Sequence, residues 1–243
     1  MRPPRIVRSE EDKAVALWST CAVAQKPLPE KMLKLDHLTI VAPSLERGMA
    51  HVRQQLGVEM QRGGKHPEMG THNCLLRLGE GTFLEVIAPD PEAPPPTRAR
   101  WFGLDDVDGI ERAWARGDCL TAWVAQTRDL TGLLERHGRV LGRSIRVSRG
   151  DRCWHISIPD DGALPCGGSA PSAIDWGDRG SPATEMTDLG CRLLSFVVEH
   201  PDPAFLCQLY SDLGIVDHPF IRQAAKLRYR AVIATPSGHR ELG

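Results

Sequence analysis

The chain has 243 residues, 41% of them hydrophobic and 25% charged, and a formal net charge of −1 from 30 basic and 31 acidic side chains. That composition predicts a soluble globular fold and gives phosphate backbones no net attraction, so no nucleic-acid partner is expected. No run approaches the roughly 20 apolar residues that cross a bilayer, so no membrane partner is expected either. The seven cysteines lie far apart without a C-x-x-C pair, which predicts reduced thiols in a cytoplasmic protein. Phosphate-loop, dinucleotide-binding, H-E-x-x-H and G-x-S-x-G patterns are all missing from the sequence.

In chain order, residues 1–34 pass the acidic cluster Glu10-Glu11-Asp12 and a weakly apolar run over 14–24. They are read as a poorly ordered extension, with Met32 close to the start of the fold. Leu35-Asp36-His37-Leu38-Thr39-Ile40-Val41 then alternates as a strand does. Pro43-Ser44-Leu45 opens a helix that closes at Leu56-Gly57, glycine being favoured just past a helix end. Strands are expected near 58–61, over 73–78 and, after Gly79-Glu80-Gly81, over 82–87. The glycine-rich stretch 63–73 reads as an irregular rim loop with His66 exposed.

Five prolines within residues 89–96 exclude a helix or an inner strand, so 91–100 reads as a stiff linker between one module at 35–90 and another at 119–178. The second module repeats the first. It has a strand at 120–124, a helix entry at Arg128-Asp129-Leu130, and a Leu141-Gly142 close that follows Leu56-Gly57 by 141 − 56 = 85 positions. Its further strands are expected at 144–147, 153–158 and 173–176. A third, partial module over 190–243 has a strand at 193–198, a helix from Pro201-Asp202-Pro203 to Leu213-Gly214, and a strand at 227–234.

This β-α-β-β-β unit, with His37 on its first strand and Glu85 on its last, resembles the vicinal oxygen chelate superfamily of glyoxalases, extradiol dioxygenases and fosfomycin-resistance proteins. Leu35-Asp36-His37, the stretch 64–73, Phe83-Leu84-Glu85, Trp101-Phe102-Gly103-Leu104 and Ile174-Asp175-Trp176-Gly177 are similar to its glyoxalase-like domain branch over residues 35–243. The resemblance implies an α+β fold in which tandem βαβββ modules form a cupped mixed β-sheet, followed by a third, shortened copy.

By alternation, His37 shares a face with Leu35, Thr39 and Val41, and Glu85 shares one with Phe83 and Ile87. A carboxylate among Phe83, Leu84, Val86 and Ile87 needs a cation, a donor or a raised pKa if it is buried. The resemblance implies a divalent metal, Zn, Mn, Fe or Ni, held by His37, Glu85 and Asp175, with Glu85 also moving a proton. Asp175 lies 175 − 85 = 90 positions after Glu85. Ala122, at 37 + 85, stands where a second histidine would complete the set and cannot ligate. His72, Asn73, Trp101 and His155 are the expected substrate contacts, with Trp101 and Phe102 capping the cavity behind Arg98 and Arg100. Trp123 and Trp176 are expected to point away from it.

Two functions follow. One is a metal-dependent lyase, isomerase or dioxygenase acting on a small oxygen-bearing substrate; the other is a metal-free protein that binds or sequesters a small molecule. Either is compatible with a homodimer.

Overall fold

A computed structural model describes residues 32–243, so the reading of the apolar run at 14–24 lies outside the described residues. Strand β1 (Leu33–Val41) begins just before the expected boundary at residue 35. Ser44 caps helix α1 (Leu45–Leu56) by accepting the Arg47 N–H at 3.3 Å, and Gly57 closes it at φ 70°. Strands β2 (Gln61–His66), β3 (Thr71–Arg77) and β4 (Phe83–Pro89) complete the first module.

The expected rim loop at 63–73 is mostly a hairpin, with Lys65 opposite His72 and His66 opposite Thr71. A register shift between Arg62 and Gly64 takes up an extra residue, and a Cβ on Gly63 would stand 2.0 Å from Asn73 Oδ1. The glycines that suggested a loop are there to let Asn73 lie against its neighbouring strand.

After the proline segment, helix α2 (Val107–Ala115) is an element the sequence reading did not contain. Asp106 caps it, and Trp114 Nε1 donates to the Val41 carbonyl at 2.8 Å, pinning it to the end of β1. Module two follows as β5 (Leu120–Gln126), α3 (Leu130–Leu141), β6 (Arg143–Arg149), β7 (Arg152–Ile158) and β8 (Ser172–Asp175). Module three comprises β9 (Arg192–His200), α4 (Pro203–Leu213), β10 (Ile215–Val216), β11 (Phe220–Gln223), β12 (Arg228–Thr235) and β13 (Gly238–Leu242).

The first two modules join in one curled mixed sheet of order β2-β3-β4-β1-β5-β8-β7-β6, with β10 beside β1. Strands β1 and β5 meet antiparallel at its centre, while β1 pairs parallel to β4 and β5 parallel to β8. The third module forms a separate sheet, β11-β9-β12-β13.

Two apolar cores result. On the convex side, Leu38 and Ile40 pack with Val52 and Leu56 of α1, Leu133 of α3, and Trp123 against Phe196 and Tyr210 of module three. On the concave side, Phe83, Ile87, Trp101, Phe102, Trp154, Ile156, Ile174 and Trp176 fill the cup. Among the described residues, no helix is long and apolar enough to cross a membrane.

Candidate functional site

A β-bulge builds the site. In the β1–β5 ladder Leu35 faces Ala125 and His37 faces Val124, so Asp36 is an extra residue on β1. It lies fully buried next to His37, and His37 Nδ1 donates to Asp36 Oδ1 at 2.6 Å. Trp176 Nε1 donates to the other oxygen of Asp36 at 3.0 Å. His37 also stacks on Phe83, with centroids 4.4 Å apart, and its Nε2 stands 3.5 Å from Glu85 Oε2. The second Glu85 oxygen accepts from Asn73 Nδ2 at 2.6 Å.

These groups shape one another's ionisation. Burial disfavours the imidazolium, but the hydrogen bonds and charges of Asp36 and Glu85 outweigh it and raise the His37 pKa to about 9. Burial likewise opposes ionisation of Glu85, yet His37, His66 and Asn73 bring its pKa below the usual carboxylate value. The site is therefore a buried carboxylate–imidazolium–carboxylate chain. Its compensating charge is Arg149, half-buried at the end of β6 and 3.5 Å from Asn73 Oδ1. Arg149 crosses at Gly64, where a Cβ would stand 2.8 Å from its side chain, so the two outer strands of the cup meet there.

The cavity enclosed by these groups is about 20 Å³, room for about one water molecule. His37, Glu85, Asn73, Arg149 and His66 are its polar lining, and Phe83, Trp101, Phe102, Trp154, Ile156, Ile174 and Trp176 its apolar lining. Contrary to the expected exposure, His66 is buried against Trp101 and Trp154, and burial pushes its pKa down to about 4. Trp101 and Phe102 cap the cavity, with Phe102 held at φ 57° in a tight turn. The arginine beside them is not the expected one: Arg100 is engaged by Asp105 at 2.7 Å.

The other expected site residues lie elsewhere. Ile156 pairs with Ile174 inside the cup, which puts the neighbouring pair His155 and Asp175 on the outer face. Asp175 instead accepts the Gly177 N–H at 2.9 Å, a turn contact. The reason is register. Thr39 pairs with Glu85 in module one, and Val124, at 39 + 85, pairs with Ser172 in module two, so the counterpart of Glu85 is Ser172 rather than Asp175. A slip of three residues reverses which side chains face inward, which also brings Trp176 into the cavity wall. His72 alternates with Asn73 and so takes the convex face.

A family model for the glyoxalase-like domain matches residues 35–214. The chain belongs to the glyoxalase-like domain family. No protein with a curated description matches it. Among solved structures, a Staphylococcus aureus protein described as hypothetical is 12% identical, with 81% of this chain and 88% of that one covered and a TM-score of 0.53. The methylmalonyl-CoA epimerase of Mycobacterium tuberculosis is 17% identical over 63% of this chain and 95% of its own, at TM-score 0.39. The Streptomyces coelicolor methylmalonyl-CoA epimerase, solved with 2-nitronate-propionyl-CoA, is also 17% identical, over 60% and 99%, at TM-score 0.36. The first of these shares the fold.

Divalent metals are often used by members of this superfamily, but the residues here do not fit one. Of the four positions that paired modules would supply, the second module fills its two with Ala122 and Ser172. Arg149 adds a cation to the same cavity, and among the described residues no three His, Cys, Asp or Glu side chains converge to hold a metal.

Proposed function

We propose that the cup is a metal-independent acid–base site that moves a proton on a small, anionic, oxygen-bearing substrate, chemistry of the isomerase or lyase class. The observation that carries this reading is the buried Asp36–His37–Glu85 chain, beside Arg149, at a cavity lined by both modules. Arg149 and the Nε2–H of His37 stabilise charge developing on a substrate oxygen. Asp36, fixed by Trp176, holds the imidazole ring and its proton in place. Glu85 takes the proton. A substrate oxygen that engages His37 draws the imidazolium away from Glu85 and so raises the basicity of that carboxylate.

With room for one water, the cavity must widen to admit a substrate. Phe102 also borders a cleft of about 610 Å³ toward Asp106 and Leu164. Both modules of the cup come from one chain, so this reading needs no second copy. Six free cysteines among the described residues fit a reducing, cytoplasmic setting.

The test is deuterium exchange. The protein is incubated in D2O with a panel of small 2-oxo and 2-hydroxy carboxylates in the presence of EDTA, and loss of carbon-bound hydrogen is followed by proton NMR. The expected result is exchange that Glu85→Gln reduces by roughly a hundredfold or more. Saturable binding without exchange would overturn it in favour of a sequestering protein. Exchange that EDTA stops and Zn or Mn restores would overturn it in favour of a metal centre.

A further inference from the structure

Away from the cup, the turn after α2 and the start of β12 enclose a second hollow of about 200 Å³. Leu120, Leu164 and Leu227 give it an apolar floor. Its charges are unbalanced. One carboxylate, Asp118, serves three cations: Arg116 Nε at 3.1 Å, Lys226 Nζ at 3.0 Å and Arg228 Nε at 2.9 Å. Burial works against the Asp118 anion, but these three neighbours hold its pKa below the usual carboxylate value, so it stays ionised. A fourth cation on the wall, Arg230, is taken up by Glu241 at 2.6 Å and by Glu199.

Three positive charges against one negative leave a surplus of two, and a carboxylate at Gly243, on the rim, would still leave one. Arg228 Nε approaches Asp118 without hydrogen-bond geometry and is buried with no hydrogen-bond partner. The rest of the side chain is about one-third exposed, so the guanidinium can turn to an incoming acceptor. Arg228 and Arg230 lie two residues apart at the start of β12 and so share a face, with Lys226 in the bend just before them.

We infer that this hollow binds a phosphate group, independently of the cup. A tetrahedral phosphate oxyanion answers the positive surplus and offers several acceptor oxygens to Arg228, Arg116 and Lys226 at once, and guanidinium groups suit that geometry. The leucine floor extends the site to an apolar substituent, so a phosphate monoester binds more tightly than inorganic phosphate. Asp118 organises the cations and competes with the ligand for them.

The experiment is calorimetric titration of the full chain with inorganic phosphate and, separately, with phenyl phosphate, at constant ionic strength and with chloride as the control anion. Saturable binding of both is expected, at least tenfold weaker in Arg228→Ala and in Lys226→Ala and unchanged in Arg53→Ala, whose cation lies on α1. Because alanine variants of charged residues lose packing as well as charge, Asp118→Asn supplies the opposite sign: phosphate binding strengthens. Tighter binding of phenyl phosphate assigns the site to an ester, and equal binding assigns it to free phosphate. Absence of saturable binding for both probes, or affinities unmoved in both alanine variants, would overturn the inference. Glu85→Gln leaves these affinities unchanged, which separates this site from the proposed chemistry of the cup.

Discussion

The two halves of the cup share a backbone plan but divide the chemistry unequally. Module one brings Asp36, His37, Asn73 and Glu85 to the concave face; module two brings Trp154, Ile156, Ile174 and Trp176, with Arg149 as its one charged contribution to the cavity. At the two positions equivalent to His37 and Glu85 it has Ala122 and Ser172. Duplicating a fold therefore need not duplicate a site. Module two acts as an apolar wall that dries the charges of module one and strengthens their coupling.

The largest effect that sharpens this contrast is expected from His37→Ala, which leaves Asp36 and Glu85 buried without their cation. It should cost roughly 3–5 kcal/mol in urea denaturation. Ser172→Ala, the change at the counterpart of Glu85, should cost less than about 1 kcal/mol. Equal costs would break the distinction between a charged half and an apolar half.

A pH series reads the same contrast within module one. The folded-state pKa of His37 is raised from 6.5 to about 9, so its stabilisation is complete below pH 6.5 and is lost as pH rises through 9. That loss is about 3 kcal/mol by linkage and should vanish in His37→Ala. His66 is depressed from 6.5 to about 4, so between those values the unfolded chain binds the extra proton and stability falls as pH drops. Its variant His66→Phe should flatten that acid limb, as followed by urea midpoints across the range.

Trp176→Phe keeps the ring and removes the donor to Asp36. It is expected to cost about 1.5–3 kcal/mol, the range for a hydrogen bond to a charged group. The smallest effect is expected at Asp175→Asn, within about 0.5 kcal/mol in the same denaturation assay, since that side chain caps a turn on the outer face. A large loss there would return Asp175 to the site.

Much of the fold could be read along the chain because its signals are local. Ser44, Asp129 and Asp202 each cap a helix, and Gly57, Gly142 and Gly214 each close one. Gly142 shows why the residue type is required, since a Cβ there would lie 2.2 Å from the Ile158 carbonyl carbon. Helix α2 is masked in the sequence by the prolines that precede it, although Asp106 and the run Val107-Asp108-Gly109-Ile110 supply a cap and an apolar start.

The site was only half legible. His37 and Glu85 stand out because a charge within an apolar strand needs a partner, and the structure brings the two together. Asp36 did not, because strict alternation sends it to the other face and only a bulge returns it. His66 and Arg149 were hidden because nothing in the order of residues shows that the outer strands of the cup curl until they meet.

What the amino-acid order determined by itself is the number of modules, the helix ends and the in–out periodicity of each strand, all set by interactions within a few residues. What the tertiary structure alone decided is which strand partners which, and at what offset. Because side chains on a strand alternate faces, those offsets chose Ser172 over Asp175 and turned Asp36 and Trp176 toward His37.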